Sequence, residues 1–197
     1  MKFDRITEPL ARRLADGLAR LAAAARQVDW QSAEATGLSP TQADLLRFVG
    51  SRRTGARLTA AAAHAGITKA TASDAIAALE RKALVRKSAD TADGRAVALK
   101  ATARGTRVAR DWPASFTPAV AALAPTEQEQ LLGLVIKMIR HMQRQELIAP
   151  QRTCVSCRHF RENVAPGSKA PHYCALVGAP MAARHLRLDC AEHEAAA

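Results

Sequence analysis

The feature that most constrains the fold is a pair of short helical segments separated by a glycine. Leu58–Ala65 is rich in alanine, which favours helix. Gly66 can adopt the left-handed conformation that ends a helix, and Thr68 is a suitable N-cap for a second helix within Ile67–Val85. Small side chains on both segments allow the helices to cross closely. The pattern predicts a helix–turn–helix, with an ordinary helical hairpin as the alternative.

Two short runs of strand-forming residues follow the second helix and separate these alternatives. Leu84–Ser88 and Ala96–Lys100 lie on either side of a segment that is rich in turn-forming residues and basic at its end, SADTADGR. We therefore expect a β-hairpin attached directly to the second helix. A helical hairpin in a core would not need it, so the fold class that we predict is mainly α with a small β wing, a winged helix–turn–helix.

Capping residues place the neighbouring helices. Ser39 with Gln42 forms a capping-box pattern before a stripe expected to be buried, Leu45, Leu46 and Val49. Thr102 can start a helix after the hairpin, and the prolines at 113 and 118 should break it.

Each end of this region has a helix with more apolar surface than its neighbours can cover. Residues 1–30 suit one amphipathic helix capped by Thr7, with leucines at helical spacing: Leu10, Leu14, Leu18 and Leu21. A second capping-box pattern, Thr126–Glu129, precedes a helix that is apolar on more than one face. Because such helices need partners, we expect these terminal helices to form a homodimer interface.

The positive charge is concentrated on the helix–turn–helix and its hairpin. The whole chain has a net charge of +11. Between Arg47 and Arg110 there are 14 Lys and Arg against 4 Asp and Glu, a net of +10. Such a balance indicates a polyanionic partner, nucleic acid or a negatively charged membrane surface. A merely solvated basic surface is the alternative, but the charge lies on one recognisable supersecondary unit, which favours double-stranded DNA.

Several classes of protein are disfavoured by the sequence. The N-terminus, MKFDRITEPL, lacks the apolar region of a secretory signal, and the longest aliphatic runs are too short to cross a bilayer. We therefore expect a cytoplasmic location and no membrane partner. The sequence contains no phosphate-cradling glycine loop and no plausible nucleophile–base pair, so we do not expect an enzyme.

Three of these motifs together resemble the MarR family of bacterial transcriptional regulators. They are LSPTQADLLRFV, ITKATASDAIAALERKALV and DTADGRAVALKATARG, and the resemblance covers roughly residues 1–148. It implies a dimeric winged helix whose terminal helices form the interface and whose wing enters the minor groove. Family members often bind aromatic acids, so the resemblance allows a small-molecule effector, although no residue identifies its pocket. Gly94 stands where the family often has an arginine, and Ala83 where it usually has glycine.

The second helix is the predicted reader of DNA. Its inward face should be Ala72, Ala75, Ile76 and Leu79. Its outward face should be Ala70, Ser73, Asp74, Ala77 and Arg81, small enough for close approach to base edges. Thr68, Lys69 and Thr71 at the helix start suit phosphate. Arg95 at the wing tip is the candidate for the minor groove, and the predicted phosphate contacts are Arg52, Arg53, Arg57, Arg86 and Lys87.

Residues 149–197 form a separate segment that holds all four cysteines, with the spacing Cys154-x2-Cys157-x16-Cys174-x15-Cys190. A segment with so few core residues needs a disulfide or a bound metal to fold. In a reducing cytosol four cysteines favour a metal site. The alternatives are a [4Fe-4S] cluster on four thiolates, structural zinc on the same four or with His159 or His193 replacing one, and disulfides or free thiols.

The segment CVSCRHF…HYCALV…LDC resembles the cluster-binding region of high-potential iron–sulfur proteins. The resemblance implies a [4Fe-4S] cluster on Cys154, Cys157, Cys174 and Cys190. We expect a sequence-specific transcriptional regulator, a repressor, whose cysteine site senses redox state or metal or only holds the segment folded. The alternative is an iron–sulfur redox protein that uses its winged helix as a protein-interaction scaffold.

Overall fold

The computed structural model describes residues 6–52, 54–89 and 97–196. The α-helices within these ranges are α1 (Leu10–Thr36), α2 (Pro40–Gly50), α3 (Leu58–Ala65), α4 (Lys69–Arg81), α5 (Ala103–Asp111), α6 (Thr117–Ala121) and α7 (Pro125–Arg144). The strands are β1 (Val85–Ala89), β2 (Val97–Ala101), β3 (Phe160–Arg161), β4 (His172–Cys174) and β5 (Ala179–Met181). Among the described residues, none of the helices combines the length and the apolar character that a membrane crossing requires.

Side-chain caps fix where three of the helices begin, as predicted. The Ser39 hydroxyl accepts from the Gln42 N–H at 3.2 Å, and the Gln42 side chain accepts in return from the Ser39 N–H at 3.4 Å. The Thr68 hydroxyl caps α4 and the Thr102 hydroxyl caps α5 in the same way. Each such cap is worth about 1 kcal/mol, so the polar residues between the apolar stripes define the helix order.

The two outer helices begin at other residues than predicted. Pro9 is the N-cap of α1, so Thr7 lies outside the helix, and α1 continues past residue 30 to Thr36. In α7 the Glu127 carboxylate accepts from the Ala124 N–H at 2.8 Å, and Pro125 is the first helical residue. A proline is favoured at that position because its missing N–H would have no partner there.

The wing is a small antiparallel sheet. Val85 pairs with Ala101 and Ala89 with Val97, so the two predicted runs form one hairpin, displaced by one residue from the predicted bounds. Ala56 adds a third, bridging element, because its N–H and C=O both bond to Leu99, at 2.9 and 2.8 Å. A Cβ at Gly55 would come within 3.0 Å of the Leu99 oxygen, so the wing is tied closely to the segment before α3.

The core lies where α2, α3 and α4 meet the wing. Its largest fully buried apolar side chains are Leu45, Leu46, Val49, Ile76 and Leu79. Burying each is worth about 1.5–3 kcal/mol, so these stripes hold the helix–turn–helix together. The predicted stripe of α2 is thereby confirmed, and so is that of α4, where Ala72 is buried and Ala75 partly buried.

Outside this core, α1 and α7 expose large apolar side chains. They include Leu10, Leu14, Leu18 and Leu21 on α1, and Leu134, Met138 and Met142 on α7. Of α7, Ile136 is buried. These two helices therefore have apolar faces that the described part of the chain does not cover.

The last part of the chain forms a three-stranded antiparallel sheet in the order β3–β4–β5. Short 3-10 helices at Cys154–Ser156 and Ala183–His185 pack against α7. Exposed ion pairs, Arg184 with Glu129 and Arg140 with Glu162, also join this segment to α7. The four-cysteine segment is therefore a small folded unit against the body of the protein. We call it the tail.

Candidate nucleic-acid interface

The turn between α3 and α4 has the geometry predicted for a helix–turn–helix. Gly66 has φ +63°, and the N–H groups of Gly66 and Ile67 bond back to the carbonyls of Ala63 and Ala62. Thr68 then caps α4 immediately. The chain reverses within three residues because glycine alone adopts this conformation without a steric penalty.

The predicted outward face of α4 is exposed. Six of the residues predicted to contact DNA from α4 are exposed: Lys69, Ala70, Thr71, Ser73, Asp74 and Arg81. Ala77, also predicted to face outward, is half-buried. Thr68 is exposed as well and its hydroxyl is committed to the cap, lying 2.8 Å from the Thr71 hydroxyl. Lys69 adds a cation at the helix N-terminus, where the helix dipole already favours anions.

The wing brings further basic residues beside α4. Arg86 is exposed on β1. Lys87, predicted to contact phosphate, has its Nζ 2.8 Å from the Glu80 carboxylate, so it also ties β1 to α4. Arg57 is exposed at the start of α3. The predicted wing-tip contact Arg95, the neighbouring Gly94 and the predicted phosphate contact Arg53 lie outside the described residues.

The end of α4 is closed by a complete Schellman motif. The Leu84 N–H bonds to the Leu79 carbonyl at 2.9 Å and the Ala83 N–H to the Glu80 carbonyl at 2.8 Å. Ala83 has φ +55°, the left-handed conformation that favours glycine. The adjacent Lys82 donates to the Gly37 carbonyl and the Gln42 side chain, which fixes α4 against the α1–α2 junction. Sequence reasoning missed this anchor, because nothing local distinguishes Lys82 from a surface lysine.

Arg52, predicted to contact phosphate, is half-buried and binds a residue of the tail. Its side chain is only 13% exposed and its guanidinium lies 4.0 Å from the centre of the Phe48 ring. It donates to both carboxylate oxygens of Asp189, in the tail, at 3.0 and 3.1 Å. Sequence reasoning could not find this partner because it lies far away in sequence, in a segment whose fold could not be predicted.

Asp189 is shared between two arginines. Arg152 donates from Nε to Asp189 at 2.7 Å and reaches the Ser51 carbonyl at 3.5 Å. Burial pushes the pKa of the Asp189 carboxyl upward, but the hydrogen bond from Arg152 and the charge of Arg52 outweigh it and hold the pKa below its ordinary value. The carboxylate is therefore ionised between the two guanidinium groups.

The four cysteines are free and half-buried. The Cys154 sulfur accepts from the Arg187 N–H at 3.2 Å, and the Arg187 guanidinium lies 3.7 Å from the Cys190 sulfur. Burial raises the pKa of the Cys154 thiol, and its neighbours Cys190 and Cys157 add to that rise. The Cys157 N–H bonds to the Cys154 carbonyl at 3.0 Å, and Arg187 contacts the sulfurs of both Cys154 and Cys190. Cys174 lies on β4, where it pairs with Phe160.

This donor set has the chemistry that a thiolate-bound group needs, since N–H donors already face two of the sulfurs. Four sulfurs bound tetrahedrally to one zinc ion, each about 2.3 Å from the metal, would lie about 3.8 Å from one another. Within residues 6–52, 54–89 and 97–196, no three His, Cys, Asp or Glu side chains are grouped closely enough to hold one metal ion.

The two histidines that were alternative ligands have other neighbours. His193 Nε2 lies 3.0 Å from the Ser156 hydroxyl. His159 Nε2 lies 3.2 Å from the Glu194 carboxylate, and although this distance suits an ion pair, the buried nitrogen lacks a hydrogen bond of good geometry within the described chain. The Ser156 contact therefore engages His193, whereas the His159 nitrogen remains available as a ligand.

Comparison with known proteins relates part of the chain to one family. Residues 36–96 match the model of the MarR family. Comparison with curated protein sequences finds no match. The matches named here give no support to a resemblance between the tail and high-potential iron–sulfur proteins.

Solved structures of similar fold cover about two thirds of the chain and nearly all of their own length. CouR from Rhodococcus jostii RHA1, bound to p-coumaroyl-CoA, has a TM-score of 0.58 at 19% identity over 67% of this chain and 95% of its own. A MarR-family regulator from Silicibacter pomeroyi has 0.55 at 23%, over 64% and 86%. MepR of S. aureus, in a complex with DNA, has 0.52 at 19%, over 68% and 99%. The chain therefore folds as a winged helix–turn–helix of the MarR type, mostly helical with a small antiparallel wing.

Proposed function

We propose that the protein is a sequence-specific, DNA-binding transcriptional regulator that acts as a homodimer. The observation that carries this proposal is the exposed face of α4. Lys69, Ser73 and Arg81 are exposed there beside a basic wing, in the part of the chain that holds most of the net charge. MepR, whose fold is similar, has been solved in complex with DNA, which supports the same use of the fold here.

The composition of this face suggests which residues contact bases and which contact phosphates. Its small side chains allow base edges to approach, and Ser73 or Asp74 can bond to them. Lys69, Arg57, Arg86 and Arg95 would bind phosphates or enter the minor groove and fix the register. Since few long donors reach the bases, affinity depends on these basic residues and on the spacing of two helices in the dimer.

Selection of bound duplexes from a random DNA pool tests this function. We expect enrichment of an inverted repeat whose half-sites lie about 10 bp apart, one helical turn, because a two-fold dimer presents two α4 helices. Failure of the purified full chain to enrich any sequence would contradict specific binding. It would also favour the competing function, a redox protein that uses the winged helix as a scaffold, which has no need of a charged reading face.

We propose that binding represses transcription by occupying the site. A reporter promoter carrying the enriched sequence should lose activity when the protein is supplied. A gain of activity from the same promoter would make the protein an activator, and the DNA-binding proposal would stand unchanged.

We also propose that the tail holds a [4Fe-4S] cluster on Cys154, Cys157, Cys174 and Cys190, and that this makes DNA binding responsive to redox state or metal. What supports it is the set of four half-buried free thiols, with Arg187 donating towards two of them. Such a cluster supplies one-electron chemistry and sensitivity to oxidants when bound. The chain contributes the thiolates and the N–H donors.

Purification without oxygen, followed by absorption spectroscopy and metal analysis, decides the nature of the tail. The cluster predicts a brown protein with about four iron atoms per chain. A colourless protein with one zinc per chain would replace the cluster with the zinc alternative. A metal-free protein with four titratable thiols would leave thiol or disulfide chemistry.

A cavity beside α1 is our candidate for the effector site. Its volume is about 650 Å³ and its lining includes Ala25, Asp29, Phe116, Val120 and Gln128. CouR, of similar fold, was solved with p-coumaroyl-CoA, which supports a small-molecule ligand. A ligand of this site should raise the melting temperature, and substitution of Phe116 by Ala should abolish the rise; an unchanged rise would place the ligand elsewhere.

A further inference from the structure

One ion-pair network joins the tail to the segment between α2 and α3. Asp189 accepts from Arg52 of that segment and from Arg152, where the chain enters the tail. Both arginine side chains are largely buried, 13% and 21% exposed, while the Asp189 side chain is 45% exposed. Two further ion pairs, Arg140 with Glu162 and Arg184 with Glu129, join exposed side chains of the tail and α7, and pairs of that kind contribute little.

On the side of the body, the network rests on the helix–turn–helix. The Arg52 guanidinium lies over Phe48 and donates to the Ser51 hydroxyl at 2.6 Å. Phe48 in turn stacks on His64 of α3, with ring centres 4.4 Å apart. A few residues after Arg52, Ala56 pairs with Leu99 of the wing. The segment that holds Arg52 therefore reaches α3 through Phe48 and contacts the wing through Ala56.

On the side of the tail, the network lies beside two of the cysteines. Asp189 immediately precedes Cys190, whose N–H bonds to the Arg152 carbonyl at 2.9 Å. The Cys154 N–H bonds to the Arg187 carbonyl at 3.0 Å, and the Arg187 N–H faces the Cys154 sulfur. A change in the positions of these sulfurs therefore acts on the same two backbone segments that present Arg152 and Asp189.

The geometry points to Asp189 as the residue that couples the cysteine tail to the DNA-binding unit. When the tail is intact, Asp189 holds Arg52 and thereby the segment that carries Ala56 against the wing. When the cysteine end of the tail is altered, Asp189 is displaced and that segment loosens. This inference deepens the proposed function and rests on it for its consequence in DNA binding, but the coupling itself does not depend on DNA.

A double-mutant cycle on the full chain tests the coupling, with amide hydrogen exchange in the peptide that contains Ala56 as the readout. Cys190→Ser alters the tail, and Asp189→Asn removes the charge while keeping the size of the side chain. We expect Cys190→Ser to increase the rate of amide exchange at Ala56 by about 5-fold or more, since couplings between two sites in a protein are typically at least that large. In the Asp189→Asn background the same change should add less than about 2-fold, because the connection is already broken.

Glu194→Gln is the matched control. Glu194 is a tail carboxylate that also lies close to two side chains, Arg158 at 3.1 Å and His159 at 3.2 Å, but both belong to the tail. This variant should leave exchange at Ala56 unchanged, and Cys190→Ser should keep its full effect in its presence. An equal effect of Cys190→Ser with and without Asp189→Asn would overturn the coupling, and so would the absence of any effect in the otherwise wild-type chain.

The same variants also test whether the coupling changes the affinity for DNA. On the duplex enriched by selection, Cys190→Ser should change the dissociation constant in the wild-type background and leave it unchanged in the Asp189→Asn background. If the wild-type chain binds no DNA, the proposed function fails, while the exchange measurements still decide whether Asp189 couples the two parts. An effect of Cys190→Ser on DNA binding that survives Asp189→Asn would assign the coupling to another contact.

Discussion

At the residue scale, two backbone positions decide how α4 and α5 meet the wing. Ala83 ends α4 in the left-handed conformation, where an L side chain is strained. Gly105 on α5 approaches the wing so closely that a Cβ there would lie 1.9 Å from the Leu84 oxygen. Position 105 therefore has the glycine that its close packing requires, whereas position 83 has an alanine in a conformation that favours glycine.

Replacement of Ala83 by glycine should stabilise the protein by about 1 kcal/mol. A non-glycine residue in the left-handed region costs roughly 1–2 kcal/mol, and part of the gain from removing that strain is offset because glycine loses more chain entropy on folding. Thermal and denaturant unfolding measure it. Ala63→Gly, the same chemical change at an exposed position within α3, should instead destabilise by about 1 kcal/mol. Loss of stability in both variants would contradict the role of Ala83.

Gly105→Ala should destabilise by about 1–3 kcal/mol or more, since the added methyl group meets backbone rather than a flexible side chain. Gly133→Ala is its control, because Gly133 lies within α7 with no atom inside 4 Å of an added Cβ. That variant should gain about 0.5–1 kcal/mol from helix propensity. Equal unfolding midpoints for the two variants would show that α5 does not pack on Leu84 in this way.

At the element scale, local chemistry predicted most of the DNA-binding unit. The caps at Ser39, Thr68 and Thr102, the turn at Gly66 and the hairpin runs are all encoded within a few residues. The bridge of Ala56 to the wing and the burial of Arg52 depend on partners distant in sequence. No local pattern marks either, so they could not be predicted.

Lys69 belongs to this scale because its position at the start of α4 gives it its expected role. Lys69→Ala should weaken DNA binding by a similar factor on all sequences. It should also reduce the salt slope by about 1 per bound copy, as expected for the loss of one phosphate contact. Lys137→Ala, at an exposed position of α7, is the matched control and should leave both quantities unchanged. A change in sequence preference with an unaltered slope would make Lys69 a base contact instead.

At the scale of the whole molecule, the exposed apolar faces of α1 and α7 and the docked tail remain to be accounted for. A second copy of the chain is the partner that we propose for the helices, and sedimentation should give twice the chain mass of 21.0 kDa. Leu134→Glu should shift the protein to monomer and weaken DNA binding at least about tenfold, since each half-site alone binds weakly.

Val177→Glu controls for a charge placed on an exposed apolar side chain. Val177 lies in the tail and is more exposed than Leu134, 68% against 59%. This variant should remain dimeric with unchanged DNA affinity. A wild-type chain that sediments as a monomer at micromolar concentration, or dissociation caused equally by both variants, would contradict the proposed interface.

The salt dependence of DNA affinity tests the central claim most directly, because it counts the phosphates that the basic face neutralises. If a dimer contacts about 8 phosphates, the logarithm of the association constant should fall against the logarithm of salt concentration with a slope near −7. The duplex obtained by selection serves as ligand, and binding is followed between about 50 and 200 mM salt. A slope near −7 supports DNA binding by the α4 face and the wing; a nearly flat response would contradict it.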